Sequence, residues 1–285
     1  MKKILTFLAF ILSIGAAPAQ DLPFKAGEKL DYVIEYKALF TADMVRVSLE
    51  LSDFNEDSRG PGFHGVAKIS TFKFWDSFYR MRDTYETWFL ANDSIPPVKF
   101  HRDAKEGKSY ESEAFLDWNG DFSSVKVKIE KKGAPTRDTV YTEGVLLRDI
   151  INSLYLARIL DYDTMLESGK PVEVRMTPYR DILQLRVRAA GREELSSGKL
   201  GGRFKTVKLA LAIQPKDVEG SGSGFKIGAS EDGAYQDGEK IFLWVSDDEN
   251  HIPVYFSAPA SIGSIKGRLS SHTGLKYELT SFSKE

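Results

Sequence analysis

The chain has 285 residues, 42% hydrophobic and 28% charged, with 39 Lys+Arg against 41 Asp+Glu. These are the proportions of a folded globular protein, and the near-neutral balance argues against a nucleic-acid binder. The absence of cysteine excludes disulfides, thiolate metal sites, iron–sulfur clusters and cysteine nucleophiles, and no cofactor is expected.

Lys2 and Lys3 precede an apolar run from Ile4 to Ile14, and Ala17-Pro18-Ala19 supplies the small residues of a cleavage site. That pattern reads as a secretory signal peptide over residues 1–19, cleaved after Ala19. The run is too short to span a bilayer, which takes about 18–20 apolar residues. Removing Lys2 and Lys3 takes the basic count from 39 to 37 against 41 acidic residues. With no cysteine to carry a lipid, the mature chain is expected to be soluble, periplasmic or extracellular, not lipid-anchored, and without a transmembrane segment.

Period-2 alternation, the mark of half-buried strands, dominates the chain from Leu30 onward. In Leu30–Tyr36 the residues Leu30, Tyr32, Ile34 and Tyr36 point one way. In Val45–Leu51, Val45, Val47, Leu49 and Leu51 do the same. Further strands are expected at His64–Phe72, Met81–Leu90, Pro97–Arg102, Ser109–Asp117 and Ser124–Lys131, separated by turns rich in Gly, Asp, Asn and Pro.

The alternation breaks at Glu143–Tyr162, where Leu146, Leu147, Ile150, Ile151, Leu154, Tyr155 and Arg158 recur at three- and four-residue spacings. That spacing predicts one helix, with Thr142 the preferred N-cap and Leu147, Ile151 and Leu154 buried on the sheet. Strands resume at Val172–Thr177, Ile182–Ala190, Gly202–Ile213, Lys240–Ser246, Ile252–Ala258, Ser264–Ser270 and Lys276–Phe282. Gly220–Gly238 is Gly/Ser-rich and reads as a loop.

The expected fold is therefore mainly β: a large curved antiparallel sheet or partly open barrel with one principal helix, about 143–162, packed on it. Residues 20–285 read as a single domain. Two sub-sheets, about 24–140 and 170–285 and joined by the helix, are the alternative.

Motifs of catalysis are scarce. There is no G-x-S-x-G elbow, no G-x-G-x-x-G after a strand, no Walker loop and no H-E-x-x-H. His64, His101, His251 and His272 are isolated in sequence. Asp117-Trp-Asn119-Gly-Asp121 places oxygens at alternate positions, but its glycine is misplaced for a calcium loop and a hairpin turn fits better. Asp247–Asn250 reads as an acidic turn. The densest aromatic patch, Phe72, Phe74, Trp75, Phe78 and Tyr79, is either core filling or the best ligand-facing candidate.

Several segments resemble a bacterial family of exported proteins, domain of unknown function 3108. They are Phe24-Lys-Ala-Gly-Glu28-Lys-Leu30-Asp-Tyr32, Tyr79-Arg-Met-Arg82-Asp83-x-Tyr85 with Pro96-Pro97, Arg148-Asp149 through Leu154-Tyr155 to Arg158 with Gly169, and Phe242-Leu-Trp244 through Asp247-Asp248 to Pro253-Val254, then Ile262-Gly263-Ser264-Ile265. The resemblance implies an exported, β-rich protein and carries over no activity or catalytic residues. Asp149 and Arg158 are placed to complement the helix dipole.

The expected role is a non-catalytic binding or carrier module of the cell envelope with an apolar concave face. The alternatives are a structural protein docking an envelope partner through a sheet edge or exposed aromatics, and a secreted carboxylate-dependent hydrolase. The expected partner is an apolar ligand or an envelope protein, not nucleic acid. Whether any catalysis occurs stays open.

Overall fold

The computed structural model describes residues 21–37, 41–56, 58–215, 241–260 and 262–284. The expected signal peptide, residues 1–19, and the expected loop Gly220–Gly238 lie outside the described residues.

Alternation of apolar and polar side chains builds the first half as a run of strands: β1 (Lys29–Lys37), β2 (Thr41–Glu56), β3 (Gly60–Thr71), β4 (Met81–Leu90), β5 (Pro97–Glu106), β6 (Tyr110–Trp118), β7 (Ser124–Lys131) and β8 (Arg137–Thr142). Then come β9 (Leu147–Arg148), α1 (Ile150–Arg158), α2 (Tyr162–Ser168) and β10 (Val172–Met176). The chain continues through β11 (Leu183–Ser196), β12 (Gly202–Pro215), β13 (Ile241–Ser246), β14 (Pro253–Pro259), β15 (Ser264–Thr273) and β16 (Phe282–Lys284).

All sixteen described strands belong to one sheet. Its order runs from β8 back to β1, across to β15, and back to β9, with β16 beside β12. Each half is an antiparallel meander, and the antiparallel pair β1–β15, with Lys29 opposite Thr273, joins them into a continuous ladder. The one parallel pair among the described strands is β9–β10.

The sheet's two edges, β8 and β9, are consecutive in the chain, linked by residues 143–146. The two margins of the sheet, β6–β8 with the linker on one side and β9–β10 with the following loop on the other, are joined by side-chain contacts, and no ladder pairs β8 with β9 among the described residues. Trp118 Nε1 donates to Leu147 O at 2.9 Å, Tyr141 Oη donates to Arg180 O, and Arg175 pairs with Glu143 at 3.3 Å. The sheet thus curls into a partly open barrel, and its inner face must be filled or lined from within.

The helical region differs from expectation. The single helix expected over 143–162 is two short ones, and Leu147 sits in β9. Gly144 adopts a φ of 64°, in the left-handed region, and turns the chain before β9. Asp149, not Thr142, caps α1, and Ile159–Asp161 breaks the helix before Asp161 caps α2. The expected strand Lys276–Phe282 is also corrected. Residues 276–281 are irregular, because the backbone of Tyr277, Glu278 and Ser281 bonds to the side chains of Asn250 and Asp248 instead of a ladder partner.

Helix α1 lies inside the curl. A Cβ at Gly65 of β3 would stand 3.5 Å from Tyr155 and 3.7 Å from Ile151, so the helix passes close over that strand. Tyr155 joins Phe24, Phe63 and Phe89 in an aromatic cluster, its ring 4.9 Å from Phe24 and 5.2 Å from Phe89. A second apolar cluster gathers Val174, Leu185, Val207, Leu209 and Val245 against α1 and α2.

Candidate functional site

Both ends of α1 are fastened by buried polar groups. At the N-terminus, Asp149 Oδ1 accepts from Ile151 N (2.9 Å) and Asn152 N (2.8 Å), while Oδ2 accepts from Thr87 Oγ1 of β4 (2.7 Å). Burial nevertheless pushes the Asp149 carboxyl up to about 6. Arg148 donates to Asn152 Oδ1 (2.7 Å), Ser94 O (2.6 Å) and Ile95 O (3.2 Å), and burial lowers its pKa to about 10.

At the C-terminus, Arg158 engages both carboxylate oxygens of Glu28 and donates to Asn250 O and Pro23 O, each at 3.0 Å. Both side chains of the pair are 1% exposed. These contacts draw on β4, the first loop and the β13–β14 turn, and hold α1 as a strut across the barrel.

One flank of the strut plugs the core through Tyr155 and Ile151, with Ile151 also bordering the cleft. The other faces an apolar cleft. One chamber, of about 220 Å³, lies between Ile150, Leu154 and Ala157 of α1 and the sheet residues Val174, Leu185, Leu209 and Leu243. A second, of about 330 Å³, extends between Leu154 and Tyr32, Ile34, Val47 and Ala67 of β1–β3. Ile150, Leu154, Leu211, Ile241, Leu243 and Phe256 line both. Ser153 in the first and Tyr32 in the second are the polar residues of walls that are otherwise aliphatic or aromatic. The larger chamber falls within the range of small-molecule pockets, about 300–1,000 Å³, and an apolar lining favours apolar ligands.

Leu154, expected to be buried, is 36% exposed because it stands over this cleft. Phe256 gains its position from Gly267 on β15. A Cβ at Gly267 would lie 1.9 Å from the Phe256 ring.

The aromatic patch lies elsewhere. Trp75–Ser77 form a 3-10 turn between β3 and β4, with no buried residue in it, so the patch is not core. Phe74 is 68% and Phe78 73% exposed, Trp75 Nε1 donates to Asp43 O at 2.7 Å, and Phe72 packs under Arg46. None of Phe72, Phe74, Trp75 and Phe78 lines the apolar cleft; Tyr79 lines a neighbouring polar cavity.

Two histidines do come together. His64 and His101 both contact Glu86, at 2.9 and 3.4 Å, on the outer face of β3–β5, where the three side chains are about a quarter exposed. The acidic turns are taken up by hydrogen bonds within the protein. Asn119 and Asp121 accept from Ser124 N and Ser123 N, and Asp248 accepts from Ser246, Asn250 and Ser281. Among the described residues, no group of three His, Asp or Glu could hold a metal ion, and no helix is long and apolar enough to cross a membrane.

Sequence spacing does not gather the cleft residues as a set, although it places β12's inner row, Phe204, Val207, Leu209, Leu211 and Ile213, on the inside. The available signal is excess. Both halves supply apolar inner rows, and one short helix cannot fill a curled sheet of this size.

The fold and cleft together define a barrel-like antiparallel β protein built around an apolar interior. The chain belongs to the family described as protein of unknown function (DUF3108), which matches residues 31–270. Among solved structures it is similar to a beta-barrel-like protein of the DUF1849 family from Brucella abortus. The TM-score is 0.50 at 10% identity, covering 88% of this chain and 98% of that one. It also matches an exported protein with a YmcC-like fold from Bacteroides fragilis, with TM-score 0.34, 7% identity, and 88% and 98% coverage. No curated protein matches the chain.

Proposed function

We propose that the protein is a non-catalytic carrier or binding module of the cell envelope that holds an apolar ligand in the cleft beside α1. On this reading residues 1–19 are removed on export, and the remaining single domain acts in the periplasm or outside without a lipid anchor. The observation that carries the reading is the pair of joined apolar chambers, about 220 and 330 Å³, beside a helix fastened at both ends. A swinging helix would vary the cleft; a strut keeps it formed without ligand, which lowers the cost of binding.

The hydrolase reading finds little support. Asp83 and Asp149, both raised to about 6 by burial, lie outside the cleft walls and accept backbone hydrogen bonds. A second reading, docking of an envelope protein, is favoured by the exposure of Phe74 and Phe78. Here Phe72, Phe74, Trp75, Phe78 and Tyr79 form the contact surface, and a Phe74→Ser/Phe78→Ser variant would lose a partner that co-purifies with the wild type.

The carrier reading is tested with Leu154→Glu, which puts a carboxylate on the wall shared by both chambers. Wild type should enhance the fluorescence of N-phenyl-1-naphthylamine, and Leu154→Glu should lose that binding by about tenfold or more. Its far-UV circular dichroism should be unchanged. A wild type that binds no apolar probe, or a variant that binds as the wild type does, overturns the reading.

A further inference from the structure

Beside the apolar cleft lies a larger cavity, of about 640 Å³, with a different chemistry. Its wall carries Arg102 of β5, with tyrosines 79, 85, 110 and 179 and the charged side chains of Glu106, Lys108, Arg180 and Asp181.

Arg102 points inward from the sheet, and its side chain is only 4% exposed. Nε donates to Tyr85 Oη at 3.1 Å and Nη2 to Glu106 Oε1 at 3.0 Å. The third edge is unused: Nη1 is buried and has no hydrogen-bond partner. Burying a guanidinium donor without an acceptor is costly, so such a group signals an acceptor that arrives from outside.

The surroundings hold Arg102 in place. Its guanidinium stands 5.5 Å from the Tyr85 ring and 4.9 Å from the Tyr179 ring. Tyr179 keeps its ring there at a φ of 128°, a conformation that costs energy in a non-glycine residue. Glu106 is occupied twice, by Arg102 and by Tyr79 Oη at 2.6 Å. Asp83, which also faces this cluster, accepts from Lys105 N at 3.0 Å. The nearby carboxylates are Glu106, Asp181 and Asp83; the cations are Arg102, Lys108 and Arg180.

The polar cavity and the apolar cleft adjoin. Ile150 lines the cavity and both chambers, and Pro178 lines the cavity and the smaller chamber. A molecule with a tail beside Leu154 would reach Arg102 past Ile150 and Pro178, the residues that border both spaces.

We infer that Arg102 is the head-group site of this carrier, and that the ligand is an anionic amphiphile whose carboxylate or phosphate oxygen accepts from Arg102 Nη1 while its hydrocarbon tail fills the apolar cleft. This rests on the carrier reading above. Lys108 and Arg180 add positive charge around the head, and the tyrosines supply hydroxyls for its remaining oxygens. Arginine suits oxyanions because it offers directed, charge-assisted donors.

The test compares ligands that share a tail and differ in head: oleate, oleoyl lysophosphatidate and oleyl alcohol, with inorganic phosphate alone as the free anion. Wild type should bind at least one of the two anionic lipids about tenfold more tightly than oleyl alcohol. Arg102→Met should erase that preference, bringing oleate and lysophosphatidate down to the affinity of oleyl alcohol. If Arg102→Met fails to fold, Lys108→Ser/Arg180→Ser should narrow the preference by about threefold. Oleate and lysophosphatidate arms tell carboxylate from phosphate. Equal binding of all three lipids overturns the head-group site and leaves the carrier reading standing. Failure of all three to bind overturns the carrier reading itself. Arg102-dependent binding of inorganic phosphate as tight as that of lysophosphatidate overturns the amphiphile in favour of a free anion.

Discussion

Replacing Glu28 by Gln should be among the most damaging conservative changes in this protein. Arg158 is 1% exposed, and both of its terminal nitrogens reach the Glu28 carboxylate. A glutamine keeps the volume but removes the counter-charge and turns an amide donor toward a guanidinium donor. An uncompensated buried charge costs about 3–5 kcal/mol. Against a total stability of about 5–15 kcal/mol that is a large fraction.

For a chain of this size the loss corresponds to a fall in melting temperature of about 6–20 °C. Thermal unfolding followed by tryptophan fluorescence measures it. Removing both charges with Glu28→Leu/Arg158→Met should recover most of the loss. Recovery should be incomplete, because the Asn250 and Pro23 carbonyls each lose a donor at 3.0 Å. A loss below about 1 kcal/mol for Glu28→Gln, or a double variant no better than the single, would refute the pair as the anchor of α1.

Asp149 adds a pH dependence. Its carboxyl rises from 3.8 to about 6, a shift on the order of 3 kcal/mol. Because the folded state holds this proton more tightly than the unfolded state, the contribution of Asp149 to stability is greatest below about pH 4 and is lost as pH rises through 6. Urea midpoints between pH 4 and 7 should therefore fall more in wild type than in Asp149→Asn, with Asp83 keeping a residual slope in the variant. Parallel curves would show that the Asp149 charge is solvated. Gly267→Ala should cost about 1–3 kcal/mol by driving the Phe256 ring off β15, and should alter N-phenyl-1-naphthylamine affinity because Phe256 lines both chambers. Unchanged affinity would place that ring outside the binding surface.

The sheet is readable in the sequence because alternation is local. Leu49 and Leu51 declare an inner face whatever lies opposite them. The helix is misread for the same reason. Leu146 and Leu147 carry helical spacing, and only the pairing of β9 with β10 pulls Leu147 into a strand.

Asp149 stands out in the sequence for the helix dipole, yet its role as N-cap overrides the apolar pattern upstream. Glu28 and Arg158 both fall in segments that carry the family resemblance, and Arg158 is visible there as a helix-end charge. That they meet across 130 residues is a fact of topology. The cleft is legible only as a surplus of apolar inner rows. The aromatic patch stands apart from the apolar cleft because density of aromatics says nothing about which side of the sheet a turn lands on. Arg102 shares its alternation with Val98, Phe100 and Ala104, so the sequence puts a charge on the inner row, but nothing nearby in sequence reveals that Tyr179 covers it.

The seam between β1 and β15 also governs how the chain must be assembled in time. Every other pairing in the first meander joins neighbours in sequence, so those hairpins can close as the residues become available. The free side of β1 has no partner until residues 264–273 arrive, and the closure spans nearly the whole domain, the kind of long-range contact that slows folding. Until then β1 exposes an unpaired row of amides and carbonyls, the template on which strands of other chains add. Loss of the C-terminal strands would leave that edge open permanently, so a shortened chain should be an aggregating one even though its N-terminal meander is intact.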